Sequence, residues 1–194
     1  MSVSDTTAQA LPITVVRPHR ADARRNFDAL LAAARAAFNR DGIDVPLEDI
    51  ARQAGVGIGT LYRNFPTRSD LIESVYVSEI EELLQAARDA QEREPWDALD
   101  TWLRRFSGYV ATKLAMLQGL NKDSETFRAC RAAMYEAANP LFERAQAAGE
   151  VRADTSLDDA MRLVSGVTAS HYESDEQRAR VLALALSALR TPAV

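Results

Sequence analysis

Thr60, Tyr62, Arg63 and Asn64 place four hydrogen-bonding side chains within five residues. None has the convergent acid, base or nucleophile partner that bond-breaking chemistry requires. Such a row is suited to recognition: hydroxyl and amide groups meet phosphates, and an arginine fork meets guanine. Leu61 and Phe65, four apart, stand between them and fall on one face of a helix. Residues 47–65 therefore read as two short helices joined by a glycine turn. Ile50, Ala51 and Ala54 give the first helix an apolar face. Gly55 stops it by accepting the left-handed conformation of a tight exit, and Val56 fills the corner. A helix too short to be stable alone, exposing such a row, suits the recognition helix of a helix-turn-helix. The implied function class is DNA binding rather than catalysis.

The flanking sequence supplies elements to hold that motif. Pro18 precedes a helix expected over 21–40, with Phe27, Leu30, Leu31, Ala34 and Phe38 on one stripe. Asp41-Gly42 ends it, and Asp44-Val45-Pro46 opens the second helix with proline in the first turn. Thr67 with Asp70 forms a capping-box pattern that starts a long helix to about Ala90. Beyond Pro95 the apolar spacing predicts helices over 97–118, 124–138, 140–148, 157–171 and 175–190. Pro140 either breaks one helix into two or kinks a single long one. The fold class is all-α, with about nine helices. The expected division is a disordered tail over 1–16, a helix-turn-helix unit over 17–66 and a helical remainder over 67–194.

The net charge of −5 is unevenly distributed over the 194 residues. Residues 17–68 hold nine arginines against six acids, net +3, whereas residues 69–194 hold 14 basic residues against 21 acids, net −7. A basic reading segment joined to an acidic partner is the asymmetry expected of a nucleic-acid module. No apolar run approaches the roughly 18 residues of a membrane span, and no signal-peptide pattern opens the chain. Cys130 is the only cysteine, which excludes an internal disulfide and suits a reducing cytoplasm. With only His19, His171 and Cys130 available, no nitrogen–sulfur metal site of usual spacing can be assembled, and no cofactor is expected.

The segment Ala29–Tyr76 resembles the TetR family of bacterial transcription regulators. Ile50-Ala51, Ala54-Gly55-Val56, Gly59-Thr60-Leu61-Tyr62, Asn64-Phe65, Thr67-Arg68 and Leu71 carry the resemblance. It implies a cytoplasmic homodimer on double-stranded DNA with a palindromic operator, and a C-terminal ligand-binding and dimerisation domain whose small-molecule effector releases DNA. Pro46 departs from the family pattern, because a threonine or serine often stands there to meet a phosphate. Proline has neither donor, which leaves the amide of Leu47 as substitute.

Within that frame Tyr62 resembles the family's phosphate-clamping tyrosine. Gly57, Ile58 and Gly59 allow close main-chain approach, with Ile58 toward a thymine methyl. Thr60 and Arg63 are the candidate base readers, and Asn64 binds phosphate or caps locally. Arg68 is expected on phosphate or on an acid of the fourth helix. Arg20, Arg24 and Arg25 either reach the DNA backbone or form a solvated face. Arg52 supports backbone contacts or pairs with Glu48. Trp102, Phe106, Tyr109, Phe127, Met134 and Tyr135 are candidate walls of a ligand pocket, although bundle core is the simpler account of most such aromatics. Val164, Val167 and Thr168, with Val181, Leu184, Ala185, Ala188 and Leu189, form the candidate dimer face. A repressor is the first reading. An activator or effector-independent regulator, a helical adaptor and an enzyme stand as alternatives in that order.

Overall fold

The computed structural model describes residues 15–121 and 123–192. Eight helices follow one another: α1 (Ala21–Asp41), α2 (Leu47–Gln53), α3 (Ile58–Asn64), α4 (Arg68–Asp89), α5 (Pro95–Met116), α6 (Glu125–Ala147), α7 (Leu157–Ala169) and α8 (Asp175–Ala188). Among the described residues there is no strand, only an isolated bridge between Val151 and Arg190. No described helix is long and apolar enough to cross a membrane.

Helix ends follow local chemistry. Thr67 accepts from the Asp70 amide at 3.1 Å while the Asp70 carboxylate accepts from the Thr67 amide at 2.9 Å, a reciprocal cap on α4. Ser156 and Asp159 repeat the device on α7. Gly55 takes φ +69°, the left-handed exit its position demanded. Its amide donates to the Arg52 carbonyl and that of Val56 to Ala51, which closes the carbonyl end of α2. Pro46 lies one residue earlier than expected, at the N-cap of α2 rather than inside its first turn. Its carbonyl accepts from the amides of Asp49 and Ile50 at 3.1 and 3.4 Å.

Of the two readings of Pro140, the single long helix is the one found, so the described residues hold eight helices, close to the nine expected. Pro140 removes the bond to the Glu136 carbonyl, a loss of about 3 kcal/mol in a helix interior. Both residues lie on the exposed side, so the carbonyl is not left in an apolar interior. Met134, Ala138, Leu141, Phe142 and Ala145 continue one buried stripe across the break point. Arg144 then pins the far half of α6 by donating to the carbonyls of Gln91, Ala90 and Arg93.

α4 is the common wall of the molecule. It packs on α1 along one side and on α5 and α6 along the other, while α5 also meets α7, and α7 meets α8. Trp102 of α5 is fully buried, and its indole N–H donates to the Leu83 carbonyl of α4 at 3.1 Å. Arg35 of α1 pairs with Glu79 and Glu82 of α4, and Arg105 of α5 shares Glu82. The buried side chains run as one cluster from Phe27 to Leu189. Of the expected tail over 1–16, only Val15 and Val16 fall within the described residues. The Val15 amide donates to Glu81 at 3.1 Å, which ties this end to α4.

Candidate nucleic-acid interface

Seven residues cannot hold a helix by themselves, so α3 is held by what it buries. Leu61 and Phe65 are 0% and 1% exposed, and Phe65 packs on Phe27 of α1 with ring centroids 4.9 Å apart. This packing turns the other face outward. Tyr62 is 46% exposed, so its ring lies outside the core. Gly57, Gly59 and Arg63 are also exposed, while Ile58, Thr60 and Asn64 are half-buried. The Arg63 guanidinium donates to Thr60 Oγ1 at 3.0 Å, so the two candidate base readers form one polar unit. Asn64 donates to the Thr60 carbonyl at 2.7 Å, the local capping role.

Leu47 is buried at the start of α2, where helical geometry leaves its amide without an intrahelical acceptor. Arg20, Arg24 and Arg25 are exposed, with Arg25 paired to Asp22. Arg52 pairs with Asp49 at 2.7 Å rather than with Glu48, one turn position closer than expected. Arg68 is a larger correction. It pairs with no acid of α4; its guanidinium turns inward and donates to the carbonyls of Ile43 and Val45 at 2.5 and 2.7 Å. Those carbonyls belong to the α1–α2 loop. Arg68 therefore fixes the seat of α2, a role that no local pattern announces.

Residues of α4, α5, α6 and α7 line a partly open cavity of about 610 Å³. Phe106, Tyr109, Phe127, Met134 and Tyr135 line it as expected, but Trp102 does not. Its ring is sealed behind Phe106, stacked at 5.6 Å, and serves the α4–α5 contact. Tyr76 of α4, Leu114 of α5, Leu117 just past its end, and Met161, Arg162 and Gly166 of α7 also line the space and were not anticipated. Tyr76 occurs in the apolar stripe of α4, a position that hints at burial but not at a void. The Tyr109 hydroxyl donates to that of Tyr76 at 3.4 Å. Burial pushes the Tyr76 phenol up to about 12 and raises that of Tyr109 further. Tyr135 donates to Asp158 at 2.6 Å, and with Arg162 it holds that carboxyl below its ordinary range. Cys130 is buried, and desolvation raises its thiol to about 11, opposite to the lowered value an oxidant sensor needs.

Two residues beyond Leu117, Gly119 lies against α4 and the α1–α2 loop. A Cβ there would stand 2.6 Å from Ile72 Cδ1 and 3.3 Å from Ile43 Cδ1. Any larger residue there would have to push the ends of these two isoleucine side chains aside.

The candidate dimer face is divided. Val164, Ala185 and Leu189 are buried inside the subunit and cannot meet a second copy. Val167 and Val181 are half-buried, as is Thr168, which bonds Ser107 at 2.8 Å. Leu184, 68% exposed, and Ala188 remain outward, joined by Leu163, which sequence reasoning missed.

Comparison with known proteins accords with this architecture. Residues 30–75 match the model described as bacterial regulatory proteins, tetR family, and residues 94–191 match the SbtR-like transcriptional regulator C-terminal domain. The chain belongs to the TetR family of transcriptional regulators and carries its DNA-binding helix-turn-helix. It is similar to a TetR transcriptional regulator of Streptomyces coelicolor, with 39% identity and a TM-score of 0.74, covering 86% of this chain and 99% of that one. A TetR regulatory protein of Mycobacterium vanbaalenii is 30% identical with a TM-score of 0.68, over 90% of this chain and all of the other. An HTH-type transcriptional regulator of Staphylococcus aureus (strain USA300) is 23% identical over 120 residues, 60% of this chain. The chain spans about 65% of the length of the curated relatives it matches.

Proposed function

We propose that this chain is a homodimeric repressor that reads a palindromic operator and leaves it when a small molecule fills the cavity. The observation that carries the reading is α3 itself: Leu61 and Phe65 are buried while Tyr62 and Arg63 face outward beside two glycines. Residues 17–66 serve as the reading unit and residues 67–194 as the regulatory and dimerisation unit. Arg63 and Thr60 read base edges, with Ile58 toward a thymine methyl. Tyr62, Asn64, the Leu47 amide and the exposed Arg20 and Arg24 position the backbone. Arg68 acts through the loop it holds.

Two copies are needed because successive half-sites lie about 34 Å apart. The exposed Leu163, Leu184 and Ala188 support a four-helix interface built from α7 and α8 of each copy. Release follows from geometry. An effector pressing on Leu114 and Leu117 displaces the turn at Gly119, which lies against Ile72 and Ile43. α4 and the seat of α2 shift together, and the two reading helices no longer match their half-sites. The site of action is the cytoplasm, and no catalytic step is involved.

A mobility shift with the region upstream of the chain's own coding sequence tests the DNA reading. The expected result is a specific complex that weakens steeply with salt. No specific complex at low salt, with the protein folded and dimeric, overturns it.

A further inference from the structure

We propose that the cavity takes an aromatic carboxylate of two or three rings, an inference that rests on reading the cavity as the effector site. Tyr76, Phe106, Tyr109 and Phe127 supply flat walls. Tyr76 stacks on Phe127 with centroids 5.3 Å apart and planes 11° from parallel, and Phe106 meets Tyr109 at 5.8 Å. Such faces and edges favour a planar ring by offset or edge-on contact, a gain an alkyl chain does not share. The space, about 610 Å³, is that of a drug-sized ligand.

The charge of the lining selects the sign. The lining contains three cationic side chains, Lys113, Arg131 and Arg162, and one carboxylate, Asp158. Asp158 is already engaged, accepting from Tyr135 at 2.6 Å and from Arg162 at 2.5 Å. The Lys113 ammonium stands 4.9 Å from the Phe127 ring centre, and the Arg131 guanidinium 5.6 Å from that of Tyr135. Cations set against aromatic faces accept a ring and its carboxylate together. The buried phenol pair adds a donor. Tyr109 donates to Tyr76, and among the described residues no acceptor takes the Tyr76 proton. A ligand oxygen satisfies it, as a buried donor requires.

Isothermal titration of the full-length protein with 4-biphenylcarboxylate, its neutral carboxamide, 4-biphenylmethylamine and laurate tests the class. The carboxylate should bind at least about tenfold tighter than the amide, a difference of about 1.4 kcal/mol. The double variant Lys113→Met, Arg131→Met should lose that preference while keeping the amide affinity, which also shows that it is folded. Tyr76→Phe should weaken carboxylate and amide alike. Equal binding of carboxylate and amide, tighter binding of laurate, or preference for the amine overturns the proposal. A parallel mobility shift separates the two readings. A carboxylate that binds without releasing DNA supports the ligand class and sinks the effector role. One that does not bind to a protein that still shifts its duplex sinks the ligand class alone.

Discussion

Replacing Arg68 with methionine separates a fold contact from a DNA contact. The substitution keeps much of the side-chain stem but removes the two hydrogen bonds to the Ile43 and Val45 carbonyls. Bonds to charged groups contribute about 1.5–3 kcal/mol each when buried. Arg68 is only half-buried and water reaches the loop, so the pair together is worth about 2 kcal/mol. For a chain of this length each kcal/mol lowers Tm by about 2–4 °C, giving an expected loss of about 4–8 °C. Operator affinity should fall modestly, because the seat of α2 loosens. The salt dependence should not change. A lost phosphate contact would reduce the slope of log K against log salt by about 0.9, or about 1.8 for a dimer. Differential scanning fluorimetry and salt-titrated mobility shifts read the two quantities. An unchanged Tm with a slope reduced by that amount would refute the inward role of Arg68 and restore a phosphate contact.

Arg63→Ala should cost about 1–3 kcal/mol on the best operator and little on its variants, so that sequence preference relaxes in a competition shift assay. Tyr62→Phe should weaken all operators alike by about 0.5–1.5 kcal/mol with Tm unchanged, as measured by fluorescence anisotropy. Leu184→Glu places a charge on an exposed apolar position and should convert the dimer to a folded monomer in sedimentation velocity. An alkaline titration should expose the buried phenol of Tyr76. Its folded value is raised to about 12 above an ordinary 10. Its contribution to stability is therefore complete below pH 10 and is lost as pH rises from about 10 to 12. Tyr76→Phe should flatten that part of the stability–pH curve.

Features set by neighbouring residues were legible in the sequence. The Thr67–Asp70 cap, the Gly55 turn and the Leu61–Phe65 stripe each depend on residues within one or two turns, and the structure has all three. Features set by distant partners were not. Arg68 differs from any surface arginine only because the α1–α2 loop, more than twenty residues earlier, presents carbonyls to it. Trp102 and Phe106 share one helical stripe, and only the position of α4 decides that the first is sealed while the second faces a void. On α8 the expected face was too wide, since Leu184 and Ala188 are exposed but Ala185 and Leu189 are buried; on α7 the outward position falls one residue earlier. Leu163 and Val164 are adjacent, and a rotation of about 100° per residue exchanges inside for outside. Pro140 was ambiguous because its neighbours on both sides share the same apolar register.

The single buried cluster, running unbroken from Phe27 to Leu189 through α4, has a consequence for how the molecule opens. α2 and α3 are seven residues each and have no core of their own, so their amides are protected only while the rest stays packed. Hydrogen exchange in these helices should slow when a ligand occupies the distant cavity, although the ligand touches neither of them. Fraying of the recognition helix is thereby tied to unfolding of the whole chain. Thermal unfolding should therefore show a single transition, and under the proposed release mechanism the recognition helix should stay folded as it is displaced.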